Sequence, residues 1–336
     1  MAAPWGIALI WPRLQRVVAT LRRLWVIVSF GLLLVFWILV QSHAGRALLL
    51  SAGQHLATYG STEIERTQQL AKWGNAIAQF NLGVWYEHGQ GLPQDYTQAV
   101  AWYRKAAEQG KASAQYNLAY MYITGRGVPQ DNTQAVAWYR KAAEQGFAFA
   151  QFNLGQMYDK GQGVPQDDTQ AVAWYRKAAE QGYVPAQLIL GKAYATGHGG
   201  PKDPAQAATS YRKAAEHGSA EAQVILGYLY FVGRGVPQDD TQAVAWYRKG
   251  AEQGDANGQH SLGYMYMTGR GTQRDVVEAY RWTTLAAARV GAPAEEQKAF
   301  AEERDALAKQ MTPAQIAEAR KRASEWLAAF EKRTKQ

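Results

Sequence analysis

The chain has 336 residues, no cysteine and a net charge of +8. The missing thiols exclude disulfides, thiolate nucleophiles and Cys-ligated metals, and they leave the redox compartment open. The charge is local: residues 1–50 hold five Arg and no acid, residues 51–290 hold 22 Lys and Arg against 20 Asp and Glu, and residues 291–336 hold 9 against 8. The body is therefore nearly neutral, has no basic stripe to follow a phosphate backbone, and no nucleic-acid partner is expected.

The first element lies in the basic end. Leu24 to Val40 reads LWVIVSFGLLLVFWILV, seventeen residues without a charge, which is the short end of the roughly 17–25 that cross a bilayer core as a helix. Arg13, Arg16, Arg22 and Arg23 precede it, and only Arg46 follows closely. The positive-inside rule then keeps residues 1–23 in the cytoplasm and exports the rest. The expected location is the inner membrane, single-pass, with a periplasmic body if the source is a Gram-negative bacterium. The alternative is a secretory signal: Ser42-His43-Ala44 puts small residues where a peptidase reads, so cleavage after Ala44 would release the body.

From residue 78 to about 290 the chain repeats itself every 36 residues. TQAVAWYRKAAEQG stands at 97–110, 133–146 and 169–182, and again at 241–254 with Gly250 for Ala. Leu82, Leu118, Leu154, Leu190, Leu226 and Leu262 share one register, and glycine pairs such as Gly89/Gly91 and Gly125/Gly127 recur in every unit. The units start near 78, 114, 150, 186, 222 and 258. Such a period means a solenoid or array.

Each unit reads as two helices. In the first, Ala78, Leu82 and Tyr86 fall at i, i+4 and i+8, one helical face, and Gly89 ends it because glycine enters the left-handed region cheaply. Asp95 then fits an N-cap with Gln98 three residues on. The second helix carries Ala99, Trp102, Tyr103 and Ala106 on one face, and Gly110 closes it. Trp102, Trp138, Trp174 and Trp246, with Leu82, Leu118 and Leu154, are the expected packing residues. A unit this small cannot bury its own apolar face, whereas stacked neighbours can. Repeating the sequence repeats the interface.

Residues 41–77 read as a linker and a degenerate leading helix, with Gly74 in register with Gly110. Residues 291–336 read as two further helices, 294–309 and 313–332, suited to capping the array. Thr312-Pro313-Ala314-Gln315 has an N-cap, a proline at the first helical position and a capping-box glutamine.

Chemistry-bearing motifs are few. His43, His55, His88, His198, His217 and His260 are scattered without an H-x-x-x-H pair, so neither a metal site nor a cofactor is expected. The Gly-x-Gly loops read as turns. Ser210-Tyr211-Arg212-Lys213 spells the S-x-x-K of penicillin-recognising enzymes, but its partner motifs are missing. Lys213 is also simply the repeat lysine, and Ser210 stands where other units place tryptophan. No catalytic residue is expected, and a β-lactam-binding or hydrolytic enzyme is the remote alternative.

The A-x-x-x-LG-x-x-Y helix, the G-x-G-x-x-x-D loop and the A-x-x-W-Y-x-K-A-A-x-x-G helix together resemble the Sel-one-like repeat family, relatives of the tetratricopeptide repeats. Ala119 for glycine, Ser210 for tryptophan and Gln273 for the loop proline depart from the pattern. The fold expected is all-α: an α/α superhelical solenoid of six 36-residue helix–turn–helix repeats, preceded by one N-terminal transmembrane helix. The resemblance implies that first helices line a concave surface. The residues that vary between units lie on these helices, and their outer side carries Asn81, Val84, Asn117, Tyr120, Asn153, Gln156, Lys192, Tyr228 and Tyr264. One reading is a groove for a protein or peptide segment, since tyrosine is enriched at binding hot spots. The other is a solvated face whose residues drift. A self-associating architectural protein of the envelope is the alternative role.

Overall fold

A computed structural model describes residues 63–288 and 294–334. The expected membrane helix over 24–40 and the cleavage site after Ala44 lie outside the described residues. Among the described helices none is long and apolar enough to cross a membrane. No strand occurs among the described residues, so the all-α solenoid stands.

The described chain falls into two bodies, one ending at Gln94 and one beginning at Asp95. In the first, α1 (63–72) leads through a turn at Gly74 into α2 (Ala76–His88). Asn75 caps α2 by accepting from the Ala78 N–H at 2.9 Å. Gln79, buried, donates to the Ala71 carbonyl at 3.0 Å. That bond recurs in every repeat, so α1 behaves as the second helix of a partial unit.

The second body holds α3 (Tyr96–Glu108), α4 (Ala112–Thr124), α5 (Asn132–Glu144), α6 (Ala148–Lys160), α7 (Asp168–Glu180), α8 (Val184–Thr196), α9 (Pro204–Glu216), α10 (Ala220–Val232), α11 (Asp240–Glu252), α12 (Ala256–Thr268) and α13 (Val276–Ala287), then α14 (Ala294–Ala308) and α15 (Pro313–Thr334). Each even-numbered helix from α4 to α12 packs on the second helix that follows it and on the one before it. The first helices begin two residues ahead of the alanine register, at Ala76, Ala112, Ala148, Val184, Ala220 and Ala256.

Local chemistry sets the helix ends. Asp131, Asp167, Asp203, Asp239 and Asp275 each accept from backbone N–H groups two or three residues on, which satisfies donors the helix leaves unpaired. Each first helix ends on a left-handed glycine, Gly125 at φ 68° among them. The second glycine of a turn has another task. A Cβ on Gly235 would overlap the Pro204 carbonyl at the head of the preceding second helix, so consecutive repeats meet backbone to backbone there. Thr312 and Gln315 form the reciprocal capping box: the Thr312 N–H donates to Gln315 Oε1 at 2.9 Å and the Gln315 N–H to Thr312 Oγ1 at 3.3 Å.

The core alternates alanine with one large ring per unit. Leu82, Leu118 and Leu154 are fully buried, as are Ala99, Ala135 and Ala171. The sealed ring is the tyrosine in the second helices of the first five repeats, Tyr103, Tyr139, Tyr175, Tyr211 and Tyr247, whereas in the sixth Thr283 takes that register and Trp282 is buried. The tryptophan placed beside the tyrosine in the packing set sits further out. Trp102, Trp138 and Trp246 are half-buried and, of that set, only Trp174 is buried. The two positions are one residue apart, so the helix turns tyrosine inward and leaves tryptophan at the seam. There Trp246 packs on Ala214, Ala215, Ala222 and Leu226 of the preceding repeat and its own neighbour. Glycine in the first helix makes room for the ring: a Cβ on Gly227 would stand 2.7 Å from the Tyr247 ring.

Polar ladders register the stack. The buried Gln115, Gln151, Gln187, Gln223 and Gln259 each donate to the carbonyl eight residues back, Gln115 to Ala107 at 3.0 Å. These carbonyls end the preceding second helix and would otherwise be buried without a partner. The second helix of the same repeat then donates to the glutamine, Gln145 to Gln115 and Gln181 to Gln151 at 2.7 Å. A second ladder joins arginine to the tyrosine eighteen residues on, from Arg104–Tyr122 at 3.0 Å to Arg248–Tyr266 at 2.6 Å.

Candidate functional site

The outward side of the first helices is built by default. Their inner side is spent on Ala, Leu, Gln and Gly, so the residues between face solvent. In the first body, Asn81 and Val84 are half-buried. In the second, Tyr120, Tyr228 and Tyr264 are 38%, 52% and 39% exposed. Lys192 is exposed, while Asn117 and Gln156 are half-buried. Asn153 is committed to packing: its amide donates to the Tyr139 hydroxyl at 3.3 Å and the Tyr116 hydroxyl at 3.5 Å.

The tyrosines gather aromatic neighbours that the periodic reading did not single out. Phe231 meets Tyr264 edge to face at 6.0 Å. Tyr228, Phe231, Tyr264, His260 and Met265 line a mostly apolar hollow of about 220 Å³, with Tyr247 and Ser261 at its floor. Further along, Phe149 is 48% exposed and lies between Tyr116 at 6.2 Å and Tyr183 at 5.0 Å. The available signal was Phe147 and Tyr183 in a register that elsewhere holds Lys111, Ser219 and Asp255.

Burial pushes the phenols of Tyr139, Tyr175 and Tyr247 well above the ordinary tyrosine range. For Tyr175 the neighbouring Asp159 carboxylate adds to the rise. All three rings are held neutral, as apolar packing requires.

Ser210 and Lys213 lie one turn apart on α9. The Ser210 hydroxyl donates to the Gln206 carbonyl at 2.9 Å, a local back-bond within the helix. A different cluster escaped the spacing argument. Asp159 near the end of α6, Asp168 at the start of α7 and His198 in the turn after α8 bring ligand atoms within 4.8 Å of one another, and these three could hold a metal ion. His198 Nε2 is 2.7 Å from Asp159 Oδ1 and Nδ1 is 3.4 Å from Asp168 Oδ2. In the same register two repeats on, Arg270 pairs with Asp240 at 2.8 Å. The residue between the turn glycines thus reaches back to the head of the preceding second helix, by histidine in one place and arginine in another. No short-range motif encodes a contact across 30 and 39 residues.

The Sel1 repeat family matches residues 76–111, 112–147, 148–183, 184–219, 220–255 and 256–289. The chain belongs to the Sel1 repeat family. Among solved structures it is similar to a protective antigen present in uropathogenic Escherichia coli strains displaying an SLR fold. Identity there is 40% over 78% of this chain and 56% of that one, with a TM-score of 0.68. It is also similar to a Sel1 repeat protein from Oxalobacter formigenes, 33% identical over 70% of this chain and 98% of that one, with a TM-score of 0.53. The chain therefore spans just over half the length of the first of these. No curated protein matches it. Sel1 repeat proteins are protein-interaction scaffolds, and the fold is generally non-enzymatic.

Proposed function

We propose that this Sel1 repeat protein is a membrane-tethered scaffold that holds a protein or peptide segment against the outward side of its first helices. The observation carrying this reading is the exposure of Tyr120, Tyr228 and Tyr264, three large rings in one register, each more than a third exposed. Tyrosine supplies broad, stiff contact area with a polar tip, and such anchors dominate interface energetics. In the second body Asn117, Gln156 and Lys192 complete the surface and Asn153 supports it from behind; Asn81 and Val84 hold the corresponding positions in the first body. The tether is the apolar run 24–40 with arginines before it, which keeps the N-terminus cytoplasmic and the repeats outside.

Photo-crosslinking in cells producing the full chain tests both parts. A photoreactive residue at 120, 228 or 264 is expected to trap a partner that the same probe at 97, on a second helix, does not. Equal trapping from both faces would remove the groove. Adducts made only of this chain would instead favour the architectural role. A C-terminal alkaline phosphatase fusion is expected to be active. An inactive one would place the repeats in the cytoplasm and end the tether as drawn. The N-terminus of the mature protein distinguishes anchoring from cleavage after Ala44.

A further inference from the structure

Five repeats fill one seam position with an indole ring: Trp102, Trp138, Trp174, Trp246 and Trp282. The fourth repeat has Ser210 there. In four of the five the lysine one turn on lies over the ring, at 4.0, 4.0, 3.8 and 3.8 Å from its centre for Lys105, Lys141, Lys177 and Lys249. In the fourth repeat the corresponding Lys213 has no ring of its own beneath it.

The space is left open. A cleft of about 180 Å³ lies against Ser210, with Ala179 and Leu190 on one wall and the charged Arg176, Glu180 and Lys213 among its other lining residues. Ala179 and Leu190 are the 36-residue equivalents of Ala215 and Leu226, on which Trp246 packs. The cleft is therefore the vacated tryptophan slot. A glutamine stands in the register where one indole N–H finds its acceptor, although the equivalent Gln170 does not bond Trp174 Nε1, which is buried without a partner. In the sixth repeat Trp282 Nε1 donates to Glu278 at 3.1 Å, and Gln206 occupies the Glu278 register.

We propose that this slot binds an indole ring, carried by a partner's tryptophan or arriving as a free indole-class molecule. Two features recur from the filled repeats: an apolar wall, here Ala179 and Leu190, and a lysine one turn on that lies over the ring. The volume is sufficient, since an engineered apolar cavity of roughly 150 Å³ admits benzene. A lysine ammonium over an indole face favours that ring over an aliphatic side chain of similar size. The slot lies between two second helices and a first helix, so it is separate from the tyrosine surface and does not depend on it.

The test is isothermal titration of the full-length protein in detergent with two probes, indole and N-acetyl-tryptophanamide. A nine-atom ring in such a cleft is expected to bind with a dissociation constant on the order of 1 mM. Ser210→Trp restores the repeat pattern, should melt no lower than the wild type, and should abolish binding. Lys213→Gln alters an exposed side chain and should weaken binding about 3- to 10-fold. Binding of both probes supports delivery on a polypeptide, and binding of indole alone supports a free ring. No saturable binding to the wild type, or equal binding to Ser210→Trp, overturns the proposal. If Ser210→Trp fails to fold, unchanged affinity in Lys213→Gln overturns it instead.

Discussion

Tyr247 and Tyr228 sit on adjacent helices of one repeat and share the wall of one hollow, yet the first is 4% exposed and the second 52%. The second helices, to which Tyr247 belongs, are nearly identical copies, and the first helices are not. The buried phenol is fixed by a glycine opposite it, by the alanines around it and by the next repeat. Any change there is felt across the stack. The exposed phenol is constrained by none of these. Uniformity marks where repeats touch each other, and variation marks where they are free to touch something else.

The comparison is sharpest at the sealed ring. Tyr247→Ala is expected to cost about 3–5 kcal/mol, as for other large buried rings. Trp246→Ala, one residue away at the half-buried seam, should cost distinctly less, and so should Trp102→Ala. Urea melts of the three variants check this. Equal losses would mean that the seam ring bears as much of the packing as the sealed one. Alkali probes the same rings without mutation. Each phenol is an acid whose folded value lies above its unfolded one, near 10. The protonated form is the one the fold keeps, so their contribution is fully present below about pH 10 and declines as pH rises beyond it. The urea midpoint is expected to hold between pH 8 and 9 and to fall at pH 11, and Tyr139→Phe, Tyr175→Phe and Tyr247→Phe together should blunt the fall.

Much of this was readable along the chain, because the signals were local. The period, the alanine and leucine faces, the Asp caps, the left-handed glycines and the Thr312 box each operate within one helical turn. What was not readable depends on partners far away. Gln151 looks like any helix-surface amide until the Ala143 carbonyl and Gln181 are found beside it. His198 looks solitary until Asp159 and Asp168 arrive from the preceding repeat. Which of the two neighbouring rings is sealed, tyrosine or tryptophan, was not legible for another reason: adjacent residues on one apolar face differ by about 100° of helix rotation, and only the neighbouring repeat decides which is covered.

The glutamine ladder gives an intermediate effect. Gln151→Leu removes the donor to Ala143 and the acceptor for Gln181, leaving a buried carbonyl unpaired at a cost of about 1–3 kcal/mol. The exposed Gln166→Leu, which bonds only Asp168 at the surface, is the control and should stay within about 0.5 kcal/mol of the wild type. A ladder that merely decorates the interface would make the two variants alike.

The smallest effect on stability is expected where the largest effect on binding is proposed. Tyr120→Ala, Tyr228→Ala and Tyr264→Ala remove rings already more than a third in water, so each should shift the urea midpoint by no more than an exposed substitution does, within about 0.5 kcal/mol. The three lie in separate repeats with no shared partner except the hollow between Tyr228 and Tyr264, so their effects should add, with any coupling confined to that pair. A triple variant that melts like the wild type but no longer crosslinks its partner from a probe at Lys192, exposed on the same side, would separate the two faces of the first helix cleanly. A triple variant that loses several kcal/mol would mean that these rings hold the stack together, and the variation along the first helices would then reflect packing between unequal neighbours rather than recognition.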